Sequence, residues 1–194
     1  MLRNRLFVSA LFVAAGSLAV AAVVPARSAQ APVAPTEFHK QLLSSVGNWE
    51  GTLTMFMPGM PAEPTPAKEK VEAIGGFWTQ SHFECSFMGM PYHGTGFNGY
   101  DPAKKKHLGT WIDNMGPALA VMEGEMDANK KLVMRYEAPD QMTGAMTAHR
   151  IETVFGDNHY TSTFFQGAGE GNKTMVIDMK RAAGRPVEAG AGNK

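Results

Sequence analysis

His149, Asp113, Cys85 and a set of methionines are the side chains whose types and neighbours could bind or react. His149 alternates with Ile151, Thr153 and Phe155, opposite Arg150 and Glu152, so its imidazole falls on a largely apolar face. There it is either a hydrogen-bonded core group or a ligand. Asp113 shares the parity of Trp111. If Trp111 faces inward, so does the carboxylate, and a buried carboxylate needs a partner. It either orients a bound molecule or is satisfied by backbone or by a neighbouring Arg. Cys85 lies between Phe83 and Phe87 on one face and reads as a small buried hydrophobe. Asp101-Pro102 has the chemistry of a turn start rather than of a catalytic acid.

The chain carries 14 methionines. Met55, Met57, Met60, Met88 and Met90 cluster in sequence, and thioethers are soft ligands suited to Cu(I). Methionine also lines adaptable apolar cavities. The common inward parity of Met55, Met57, Met134, Met175 and Met179 favours the cavity. No nucleophile elbow, phosphate loop, zinc-type His/Cys spacing or dinucleotide fingerprint occurs.

The elements that must position these groups are nearly all strands. Thr36 suits a helix N-cap and Glu37 the first turn. Phe38, Leu42 and Val46 recur every four residues, predicting about ten residues of helix ended by Gly47. Period-two segments then follow one another. Trp49, Leu53, Met55 and Met57 share a face. Pro58 to Ala67, with four prolines, reads as a loop. Lys68 to Ala73 is a second strand. Phe77, Phe83, Cys85 and Phe87 line a third, broken at Gly89 to Pro91. Gly96 to Gly116 forms a hairpin turning at Asp101-Pro102 with Lys104, Lys105 and Lys106 at its tip. Leu119 to Met126, Lys131 to Glu137, Thr143 to Phe155, His159 to Gln166 and Lys173 to Arg181 complete about ten strands. In these, Leu132, Met134 and Tyr136 face one way, as do Met175, Ile177 and Met179. Short strands at this spacing predict an all-β antiparallel up-and-down barrel, since closure removes both sheet edges.

Residues 1–28 have the pattern of a secretory signal peptide: Arg3 and Arg5, an apolar run from Leu6 to Val24, then small residues. Residues 29–35 read as a linker, 36–181 as the barrel domain and 182–194 as a disordered tail. Loss of Arg3, Arg5 and Arg27 leaves fifteen basic against eighteen acidic residues, a net charge of −3. That balance has no electrostatic footprint for nucleic acid. One cysteine allows no internal disulfide. The expected location is periplasmic or secreted, with no stable membrane anchor once the signal is removed.

Gly47-x-Trp49 after a short helix resembles the Gly-x-Trp signature of the calycin superfamily, the lipocalins and their relatives. That resemblance implies a Trp plugging the closed end, with a basic side chain from the last strand across it. Arg181 has the required parity, and antiparallel closure would bring it over Trp49. A closer resemblance runs through Gly47-Asn48-Trp49-Glu50-Gly51, Gly75-Gly76-Phe77, Phe87 to Gly94, Gly99-Tyr100-Asp101, Gly109 to Met115 and Glu123-Gly124. These blocks are similar to the bacterial family called domain of unknown function 1579, which implies segment boundaries and no activity. The superfamily resemblance extends to nitrobindin-like barrels, where an inward His holds haem iron, a part His149 could play.

The expected function is binding of one small apolar molecule in the lumen, without catalysis and with no cofactor. Met55, Phe83, Trp111, Asp113, Met134, Tyr136, His149 and Ile177 would line the site, with Trp49 and Arg181 structural. Two alternatives stay open. One is a haem or Cu(I) binder. The other is a barrel filled by its own side chains, acting as a structural or protein-interaction module.

Overall fold

The alternation of side chains continues through ten consecutive segments, and the backbone follows it. A computed structural model describes residues 33–140, 143–169 and 171–183. The expected signal segment 1–28, residues 29–32 of the expected linker and residues 184–194 of the expected tail lie outside the described residues. The strands are β1 (Gly47–Met55), β2 (Pro64–Ile74), β3 (Trp78–Phe87), β4 (Met90–Asp101), β5 (Lys106–Asp113), β6 (Ala120–Met126), β7 (Leu132–Pro139), β8 (Met146–Phe155), β9 (His159–Gln166) and β10 (Asn172–Arg181). Each pairs antiparallel with the next, and β10 returns to β1, with Trp49 opposite Arg181 and Met55 opposite Met175. The barrel is closed, so no strand presents an unpaired edge.

One helix precedes it, α1 (Glu37–Leu43). Thr36 caps it in extended backbone, and its N–H donates to His39 Nδ1 at 3.0 Å. The helix has seven residues, fewer than its spacing predicts, and its buried residue is His39 rather than the Phe38, Leu42, Val46 stripe. A helix this short presents only a turn or two to its support. It lies against β3 and β4, where His39 meets Phe77 and Tyr100 edge-on and Phe38 stacks on Tyr100 at 4.4 Å between centroids. Val46 is left to the turn into β1.

Two turns depart from expectation. β2 begins at Pro64, inside the predicted loop, because residues 64–66 pair only with β1 and pairing with β3 begins at Ala67. On such a half-paired stretch a missing N–H costs little. Likewise the break after β3 is shorter than Gly89 to Pro91 and comes one residue earlier. Met88 (φ 50°) and Gly89 (φ 80°) alone make a two-residue turn, and β4 starts at Met90.

Topology gives the barrel two unlike ends. The start of β1, the end of β10 and α1 lie at one. The β1–β2, β3–β4, β5–β6, β7–β8 and β9–β10 connections lie at the other, called the mouth. The packed core is Trp49, Leu53, Ala67, Val71, Phe83 and Met179.

Candidate functional site

At the helix end the plug is built from two strand ends. The Arg181 guanidinium lies 4.4 Å from the Trp49 ring centre. It donates to the carbonyls of Val46 and Ser44, both at 2.8 Å. The Trp49 indole N–H donates to the Ser45 carbonyl at 2.8 Å. Gly47, at φ +143°, has Arg181 Nη1 where a side chain would start: a Cβ there would sit 2.5 Å from it. The glycine of the Gly-x-Trp pattern thus makes room for the cation that covers the tryptophan.

Above the plug is a group that sequence reading passed over. Glu69 shares the inward parity of Ala67 and Val71 on β2. Its carboxylate accepts from the Ser81 hydroxyl on β3 and from the Tyr160 hydroxyl on β9. Tyr160 also meets Trp49 at 5.2 Å. β2 and β9 are separated by β1 and β10 along the wall, so the Tyr160–Glu69 bond spans the lumen and forms its floor. Burial pushes the Glu69 carboxyl up, opposed by the two hydroxyl bonds. The Tyr160 phenol is raised by burial and by the carboxylate beside it. The signal was present in the alternation of Ala67, Glu69 and Val71, hidden among the outward charges Lys68, Lys70 and Glu72.

One wall nearer the mouth carries Trp111 and Asp113. The Trp111 indole lies flat on β4: a Cβ on Gly94 would be 2.2 Å from it and one on Gly96 2.6 Å. Its N–H donates to Tyr92 Oη at 2.9 Å, and Tyr92 donates to Asp113 Oδ2 at 3.2 Å. Asp113 Oδ1 accepts from the Met115 backbone at 2.9 Å. The carboxylate is therefore satisfied by a tyrosine and a backbone N–H, with no arginine involved. Burial raises the Tyr92 phenol.

His149 stands inward on β8 and stacks on Tyr136 of β7, 4.8 Å apart and 15° from parallel. Its Nε2 is buried without a hydrogen-bond partner. Burial lowers its pKa, while the Ala138 backbone and Asp140 pull the other way. His107, missed by sequence reading, is also inward, 6% exposed, with a buried, unpartnered Nε2.

All eight lining residues named from sequence face inward, but at different depths. Phe83 and Met134 are buried. Met55, Trp111, Asp113, Tyr136, His149 and Ile177 are half-buried. The methionines divide likewise. Met179 is fully buried and Met134 nearly so, filling the core rather than lining an accessible space. Met57 lies beyond the end of β1. Met60, Met88 and Met90 are exposed. Cys85 is half-buried against the core, its thiol pushed up by burial. Asp101 accepts from the Ala103 and Lys104 backbones and starts its turn.

A family described as protein of unknown function (DUF1579) matches residues 34–181, the helix and the whole barrel. No curated protein matches the chain.

Proposed function

The chain belongs to the DUF1579 family, and from that premise we propose that its barrel is a cup for one small, largely apolar molecule, exported with the protein and not transformed by it. The observation that supports this is partial exposure in the wrong place. Trp111, His149, Ile151, Met175 and Ile177 point inward from stretches paired on both sides, yet all are half-buried. Between paired strands, solvent reaches an inward side chain only through the lumen. The inward residues Leu53, Val71, Thr79, Ser81 and Met179, by contrast, are closed off. The molecule is a cup with a packed base and an accessible upper half lined by aromatic and aliphatic groups, the character of a small-molecule site. A barrel filled by its own side chains would bury both halves alike.

Titration with a neutral apolar fluorophore tests it. Saturable, one-to-one binding that quenches tryptophan emission and weakens in Trp111→Ala is expected. A wild-type protein that binds no apolar probe refutes the cup.

One observation favours haem as a second reading. His149 Nε2 has no partner while the Ala138 backbone engages the ring, the arrangement that orients metal-binding imidazoles. His149 would be the axial ligand, and Tyr136, stacked on it, would fix its plane. Hemin added to the protein would give a Soret band that His149→Ala abolishes. No band with wild type removes this reading.

A further inference from the structure

We propose that the molecule held in the cup carries a cationic nitrogen, an ammonium or amidinium group, that docks on Glu69 at the lumen floor. This rests on the cup reading and narrows its ligand to an apolar organic cation.

The argument begins with the charged inventory of the lumen. Among described inward-facing strand residues the acids are Glu69 and Asp113, and the one permanent cation is Arg181. Asp113 has both oxygens engaged, by Tyr92 and by the Met115 backbone. Arg181 lies on Trp49 and is bound to two carbonyls of the chain entering β1. Glu69 is different. Among the described residues it makes no ion pair. Its partners are two neutral hydroxyls, one on each oxygen. A carboxylate offers about four lone-pair sites, so two remain.

A desolvated carboxylate without a cation is costly. A cationic ligand supplies the missing partner at the point where the cost arises. Glu69 also faces the lumen. It is half-buried, and from a strand paired on both sides that exposure opens only to the lumen. Nearer the mouth, Trp111 and Tyr92 offer aromatic faces that favour a cation over an anion. The histidines do not reverse the field, because burial lowers the pKa of both His107 and His149.

The test uses three probes of one chain length: n-octylammonium, n-octanol and n-octanoate, titrated at neutral pH by calorimetry and tryptophan fluorescence. The amine should bind about tenfold more tightly than the alcohol, the scale of one charge-assisted hydrogen bond, and the carboxylate more weakly than either. Glu69→Gln should abolish the preference for the amine over the alcohol. Where Glu69→Gln does not fold, Glu69→Met, which buries no polar group there, takes its place. Equal binding of amine and alcohol by wild type, or a preference that survives loss of Glu69, overturns the proposal and leaves the cup standing. Failure of all three probes overturns both.

Discussion

The guanidinium of Arg181 lies over the Trp49 ring while its two terminal nitrogens hold the carbonyls of Ser44 and Val46. One side chain thereby joins the last strand, the first strand and the end of the helix. Arg suits this because its planar fork donates in two directions while its face stacks on an aromatic ring.

Arg181→Ala should therefore cost about 2–4 kcal/mol, from two charge-assisted hydrogen bonds and a cation–π contact. Arg181→Lys should recover only a minor part, since an ammonium cannot serve both carbonyls and the ring together. Chemical denaturation of the two variants checks this. Equal stability of Lys and wild type would show that charge alone matters at the plug.

Gly94 and Gly96 make the flat bed on which Trp111 lies. Gly94→Ala places a methyl inside the indole, and the ring must leave the wall or the strand must shift, at about 1–3 kcal/mol. The Trp111–Tyr92 bond would break with it. The expected result is a red-shifted tryptophan emission and weaker apolar-probe binding, with cooperative unfolding retained. Unaltered emission would mean that the ring is not held as described.

Glu69 makes stability depend on pH in a direction opposite to a salt-bridged acid. Its folded pKa is raised above the ordinary 4.5, so the native state holds its proton where the unfolded chain has released it. Stability is full below 4.5 and falls as pH rises from there to the folded value. Glu69→Gln should match wild type in acid and exceed it at neutral pH. Melting curves across pH 4 to 8 decide it. A Gln variant less stable than wild type at neutral pH would mean that the ionised carboxylate is favourably held without a ligand.

The inward histidines act at a different point. His107 and His149 have lowered pKa values, so on acidification the unfolded chain takes up their protons first. Their contribution is present above the ordinary 6.5 and is lost as pH falls through the folded values. His107→Gln and His149→Gln should each flatten the acid limb of the stability profile.

Alternation alone carried the strands. From Trp49 to Arg181 hydrophobic parity named inward residues that the barrel does place inward, because in a closed sheet each side chain has only two faces to choose between. The Gly-x-Trp resemblance, with the same parity and antiparallel order, put Arg181 over Trp49 at the chain's two ends. Local chemistry also read correctly where it acts within a few residues, as at Thr36 and Asp101. It misjudged α1, whose seven residues are set by what they rest on, and Pro64, whose strand exists because β1 lies beside it. Depth along the lumen was not legible. Met134 and Met179 share the parity of Met55 and Met175, yet are buried in the core, since parity says in or out and nothing about level. The pairing of Glu69 with Tyr160 was out of reach altogether. They lie 91 residues apart on strands that do not touch, and meet only because the closed wall brings its inner faces within the span of two side chains.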